Sequence, residues 1–140
     1  MKRKSNRFEI EASKNKRRSA GHVAMRSLFQ SLFPGFKVKE DEPIKCEVGG
    51  SGTTLFVDLV IHEIKVAIEV HGDQHKTLVP HFHGDQKGFE KSQARDQSKK
   101  QALADANYTL IEISGDDAVK CTTTRLSRMI EKANKQRIKQ

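Results

Sequence analysis

The sequence predicts an α/β fold: a mixed sheet with helices packed on it, running helix, three strands, helix, strand, helix. Three observations carry this. Two runs rich in Val and Ile, FVDLVI and IKVAIEV, flank the polar pair His62-Glu63 and read as a hairpin. A long stretch free of Pro and Gly, Phe89 to Asn107, precedes a further β-type run, so a helix crosses between the third and fourth strands and part of the sheet is parallel. Apolar residues recur at helical spacing near both ends of the chain.

At 140 residues the chain has the length of one domain with a single moderate core. Residues 19–140 are assigned to that domain. Residues 1–18, MKRKSNRFEIEASKNKRR, are a basic arm that reads either as a solvated tail or as a segment that orders along phosphates. The 26 Lys and Arg against 18 Asp and Glu leave a net charge of +8, which favours a polyanionic partner over the bland alternative of a merely basic protein. Cys46 and Cys121 lie far apart, giving neither a disulfide framework nor a CxxC zinc signature, and read as reduced thiols. No apolar run reaches the about 18 residues of a membrane span, and the N-terminus lacks a secretion signal's apolar core. The expectation is an intracellular protein, cytoplasmic or nucleoid-associated, with no membrane partner.

Ser19 is placed to cap a helix from Ala20 to Phe33, in which Met25, Leu28, Phe29 and Leu32 form the apolar stripe and Pro34-Gly35 the stop. His22 lies one turn before Met25, at the edge of that stripe. From Phe36 to Val48 the residues alternate imperfectly, and KCEV enters a turn at Gly49-Gly50-Ser51-Gly52. In the hairpin that follows, with His62 and Glu63 as the turn, Ile61 pairs with Ile64 and Asp58 falls opposite Ala67. Glu69 is then a diagonal neighbour of Asp58 on the same face, and His71 points the same way.

Residues 76–87, with Pro80, His81, His83 and Gly84, read as an exposed loop over one end of the sheet. In the crossover helix, Phe89, Leu103 and Ala106 face inward, and Asp96 stands seven residues from both Phe89 and Leu103. That spacing puts a carboxylate on the inward stripe, with Arg95 beside it and Lys99 and Lys100 one turn further on. YTLIEI is the fourth strand, residues 114–117 a turn, and Ala118 to Ile138 an amphipathic helix with Leu126, Met129 and Ile130 inward and a basic outer face.

Three ionisable groups on one face of an apolar hairpin are costly unless they bind something. Two carboxylates from adjacent strands suit a hard divalent cation, Mg2+ or Mn2+, able to polarise a phosphodiester and lower the pKa of a bound water. His71 is placed as a general base or a phosphate contact. His75 follows Gly72, where backbone and phosphate can approach closely, and could orient a phosphate or protonate the leaving oxygen. Each histidine alone reads more simply as a satisfied or solvated ring.

Asp58, then Glu69-Val70-His71 after ten residues, resembles the core of the restriction-endonuclease-like PD-(D/E)XK nucleases, with His in place of the Lys. The longer string IEVHGDQH, then Arg95-Asp96 and ALADANYTLIEI, resembles the very-short-patch repair (Vsr-like) endonuclease branch and its EDxHD homing-endonuclease relatives over roughly residues 20–115. The resemblance implies an αβββαβ core, extended here by a C-terminal helix, and Mg2+-dependent DNA cleavage. It implies Asp58, Glu69 and the Val70 carbonyl as metal ligands, His71 and His75 in the active site, and Asp96 in support.

The sequence departs from that pattern twice. Met25 stands where the branch has a first-helix glutamate, which makes His22 the candidate substitute; nothing in the spacing of Glu9 or Glu11 argues for either. Asp73 follows Gly72 where the mismatch-repair members have a zinc cysteine, so no zinc is expected.

The leading expectation is a metal-dependent DNA endonuclease, nicking or cleaving duplex or branched DNA. Phosphate contacts would come from His75 and Lys99, and DNA affinity from Lys2, Arg3, Lys4, Lys16, Arg17, Arg18, Arg95, Lys100, Arg125 and Arg128. A non-catalytic nucleic-acid-binding module of the same fold and a nuclease acting on RNA are the alternatives. A domain of this size reads a long site only as a homodimer or by laying its arm in a groove.

Overall fold

The computed structural model describes residues 18–72 and 86–139. Helix α1 (Ala20–Leu32) opens on Ser19, whose Oγ accepts the His22 amide at 3.1 Å, and closes at Phe33. Strands β1 (Lys39–Val48) and β2 (Ser51–Ile61) are joined through Gly49 and Gly50 alone, at φ 60° and 82°. Two successive left-handed residues make the tight turn whose twist matches a hairpin, a conformation for which glycine has no steric penalty. Strand β3 (Val66–His71), helix α2 (Gln86–Asp105) and strand β4 (Thr109–Ser114) follow, then α3 (Gly115–Lys120) and α4 (Thr123–Lys139). None of the described helices is long and apolar enough to cross a membrane.

The sheet has the order β1-β2-β3-β4, antiparallel except for the parallel pair β3 and β4 that α2 connects. It is therefore the expected mixed sheet. One face packs Leu59, Ile61, Ile68, Ile111 and Ile113 against Met25 and Phe29 of α1, Ala118 of α3 and Leu126 of α4. The other packs Val57, Val60 and Ala67 against Leu103 of α2. Burying each of these large aliphatic or aromatic side chains contributes about 1.5–3 kcal/mol, so both layers hold the sheet.

The first turn of α1 touches the end of the sheet. A Cβ on Gly21 would meet Gly115 backbone atoms at 3.0 Å and Val70 Cγ1 at 3.1 Å. Only glycine lets α1 seat against the C-terminal end of β3 and the start of α3.

The structure corrects the β2–β3 register. Ile61 pairs with Val66, not Ile64, because the turn takes four residues, His62 to Lys65, with Lys65 at φ 53°. Val60 is consequently opposite Ala67, and Asp58 is carried on to Glu69. A shift of two residues preserves the face, so only the offset changes. Two local pulls fix the longer turn. The Lys65 carbonyl accepts the Thr109 amide at 2.8 Å, and the His62 ring lies 2.6 Å from the Tyr108 hydroxyl through Nδ1 and 2.9 Å from Glu42 through Nε2.

The C-terminal helix is also two helices rather than one. Residues 115–120, expected partly as a turn, form α3, and Cys121 is extended. Thr122 then caps α4, its Oγ1 accepting the Arg125 amide at 3.2 Å. Ala106, expected on the inner face of α2, lies just past its end and is exposed.

Candidate active site

Asp58 marks the point where β2 leaves β3. Pairing of the two strands ends at Leu59 with Ile68, and the Asp58 side chain takes over, Oδ2 accepting the Val70 amide at 2.8 Å. A buried N–H must find an acceptor, and a short carboxylate supplies it where the sheet opens. The chain is irregular there on both sides. Asp41 of β1 holds φ 48°, and Val57 packs toward α2 while Leu59 packs toward α1, so strict alternation breaks at Asp58.

Glu69 lies beside Asp58 and is 6% exposed. Its carboxyl is pushed up to about 7, first by burial and next by the Asp58 charge. Lys99 of α2 opposes this, its Nζ 2.8 Å from Glu69 Oε1. That contact is a close ion pair, and Asp58 also lies within hydrogen-bonding reach of the Glu69 carboxyl. Two carboxylates, Glu69 buried and Asp58 half-buried, thus share one corner with Lys99 aimed at it.

His71 follows on the same face of β3, and its Nε2–H donates to Glu112 of β4 at 2.9 Å. The hydrogen bond to Glu112 raises the imidazole pKa against the effect of burial, and the charges of Glu112, Glu69 and Asp96 act in the same sense. Glu112 is held below its ordinary value, chiefly by His71, with Lys100 at 3.2 Å assisting. Asp96 is half-buried on α2, near enough for its charge to reach His71.

Of the residues singled out from the sequence, the fold therefore gathers Asp58, Glu69, His71, Asp96, Lys99 and Lys100, with the Val70 backbone between the first two. His22 goes elsewhere. It is 5% exposed on α1, across the sheet from α2, and its Nε2 lies 2.9 Å from both Glu40 Oε1 and Arg18 Nη1. Arg18 is turned inward on Glu40 and Asp41, at 3.4 and 2.7 Å. Arg95, Arg125 and Arg128 are exposed. Lys2, Arg3, Lys4, Lys16, Arg17, His75, His81 and His83, together with Glu9, Glu11 and Asp73, lie outside the described residues.

Sequence reasoning missed Glu112 and Glu40. A signal for Glu112 existed, since Leu110 and Glu112 share the face of β4 opposite Thr109, Ile111 and Ile113. Its partner depends on the parallel register of Glu69 with Glu112 and His71 with Ser114, which no tight turn fixes.

Among the described residues, no group of three or more His, Cys, Asp or Glu side chains is arranged to hold a metal ion. The corner still fits a magnesium-type cation, which takes one or two carboxylates and keeps several waters. The fit rests on the two carboxylates brought together where β2 and β3 separate and on their mutual repulsion, which a cation would relieve.

No family model matches the chain, and no solved structure does. A segment of 59 residues, 42% of the chain, is 37% identical to "Uncharacterized protein 307L" of Invertebrate iridescent virus 6. The match spans 30% of the length of that protein.

Proposed function

We propose that the chain is a metal-dependent endonuclease of the restriction-endonuclease-like type, hydrolysing phosphodiester bonds in DNA. The observation that carries this is the pairing of half-buried Asp58 with buried Glu69 at the opened end of β2 and β3, with Glu69 driven to about 7. Strong perturbation by burial plus a specific charge partner marks functional carboxylates. Asp58, Glu69 and the Val70 carbonyl would hold Mg2+ or Mn2+, which supplies Lewis acidity and a more acidic bound water.

The other roles belong to the chain. Lys99, freed from Glu69, is placed to pair with a phosphate oxygen. His71, held toward its charged form by Glu112, suits a donor to phosphate or to the leaving oxygen better than a base working at neutral pH. Arg95 and Lys100 line the same helix, and Arg125 and Arg128 add exposed positive charge on α4.

The test is Mg2+- or Mn2+-dependent cleavage across duplex, nicked, mismatched, flap and four-way-junction DNA, with matched RNA alongside. Asp58→Ala and Glu69→Ala are expected to abolish cleavage and leave binding largely intact. Cleavage unchanged in both variants refutes the assignment. A second reading, a nucleic-acid-binding module without catalysis, is favoured by Lys99 standing against Glu69. It predicts salt-sensitive binding and no cleavage with any divalent metal.

A further inference from the structure

Strands β1 and β2 change face at the same rung. Residues two apart on a strand ordinarily share a face, yet Leu59 packs with α1 and Val57 with α2. Their partners divide in the same way. Glu40, opposite Leu59, reaches His22 of α1, and Glu42, opposite Val57, reaches His62 beside Tyr108 on the α2 side. Between these two pairs the register sets Asp41 opposite Asp58. Asp41 absorbs the turn, at φ 48°. Aspartate visits this left-handed region more readily than most residues, but not without steric cost.

Arg18 holds Asp41 there. Its side chain, only 10% exposed at the head of α1, donates through Nη2 to Asp41 Oδ2 at 2.7 Å, and its Nη1 lies 2.9 Å from His22 Nε2. Glu40 is the counter-ion that keeps the guanidinium in place, facing Arg18, His22 and Arg26 at 3.4, 2.9 and 3.3 Å. Were Asp41 extended, alternation would set its carboxylate directly across from Asp58 on one face, a destabilising like-charge pair. Turned to Arg18, it leaves the Asp58 carboxylate to accept the Val70 amide at 2.8 Å and to stand beside Glu69.

We propose that Arg18 and Asp41 are positioning residues for the carboxylate corner: Arg18 clamps Asp41 in its left-handed conformation, and that conformation directs Asp58 onto the Val70 amide, beside Glu69. The inference rests on the endonuclease reading only for the role of Asp58 as a metal ligand. The positioning itself is read without metal or DNA.

The measurement is amide hydrogen exchange of the full chain by NMR in metal-free buffer. The Val70 amide reports on Asp58, and the Thr109 amide, held by the Lys65 carbonyl at 2.8 Å, is the reference. Asp41→Val puts a β-branched side chain where φ is positive and is expected to lower Val70 protection by about tenfold or more, with Thr109 unchanged. Asp41→Gly also loses the carboxylate but takes the left-handed conformation freely, and is expected to keep Val70 protection within about threefold. Arg18→Met is expected to lose about threefold to tenfold at Val70, and Asp41→Gly placed in that background to restore it. This rescue, which a merely structural ion pair would not give, decides the matter should the valine variant fail to fold. Val70 protection unchanged in Asp41→Val or in Arg18→Met, equal losses at Val70 and Thr109, or no rescue by glycine overturns the proposal. An absence of cleavage by the wild type with Mg2+ and Mn2+ would count against the catalytic reading alone.

Discussion

Replacing Glu69 by glutamine removes the least comfortable charge described in the molecule while keeping its shape. The carboxyl sits at about 7 instead of 4.5, so ionising it in the folded chain costs about 3 kcal/mol more than in the unfolded chain, at about 1.4 kcal/mol per pH unit. Below pH 4.5 both states carry the proton and the cost vanishes. As pH rises from 4.5 through 7 the unfolded chain ionises first, so stability falls across that window and stays low above it. Glu69→Gln mimics the protonated form. In metal-free buffer it is expected to match the wild type near pH 4 and to exceed it by about 3 kcal/mol at pH 8, about 10 °C in Tm for a domain of this size.

Thermal unfolding followed by circular dichroism at several pH values measures both curves. Saturating Mg2+ is expected to recover part of the difference for the wild type, by about 2.7 kcal/mol at a hundredfold excess over Kd, and to leave the variant unmoved. A stability gain that is the same at pH 4 and pH 8, or none at either, refutes the claim that Glu69 is a buried carboxylate repelled by Asp58.

Lys99→Met takes the cation away from Glu69 Oε1, and is expected to steepen the loss of metal-free stability with pH and to enlarge the thermal shift given by Mg2+, read in the same melts. Glu112→Ala removes the hydrogen bond that the His71 ring makes to Glu112 and is expected to slow cleavage about tenfold, the lower end of the effects seen when a supporting hydrogen-bond partner is lost, with Glu112→Gln retaining most of the rate in single-turnover assays. Gly21→Ala drives a Cβ to 3.0 Å from Gly115 backbone, so about 1–3 kcal/mol of stability should be lost in urea unfolding, more than any gain in helix propensity. Tyr108→Phe removes the hydroxyl 2.6 Å from His62 and is expected to cost about 1 kcal/mol without altering the pH dependence set by Glu69.

Asp58 and Glu69 were legible because each interrupts an apolar run, and the register error was two residues, which leaves both on one face. The offset itself was not legible. Ile64 is β-branched and reads as strand, but the Lys65 carbonyl is held by the Thr109 amide and His62 by Tyr108, both from the distant α2–β4 junction. The break at Cys121 had a local sign in the run Thr122-Thr123-Thr124, a series of cap-forming hydroxyls that an amphipathic reading from Ala118 onward passes over. His22 was correctly placed on α1, but its direction was decided by Glu40 at the start of β1, a long-range pairing that helical spacing cannot carry.

The sheet opens at Asp58 because its two sides are supported unequally. Strand β3 is paired with β4 along its whole length but with β2 only as far as Leu59 and Ile68. Gly21 of α1, packed against Val70 and Gly115, holds that end of β3 from the far side. The carboxylates can therefore be forced together without unzipping the strand that carries Glu69. Their repulsion must be relieved by some positive charge, and three candidates compete for one place: a proton on Glu69, the Lys99 ammonium, and a divalent cation. Proton and lysine are both at hand in the free chain, so metal binding would have to displace them, and apparent metal affinity should rise with pH through about 7 and rise again when Lys99 is removed. A corner that merely held the fold together would have no reason to respond to all three.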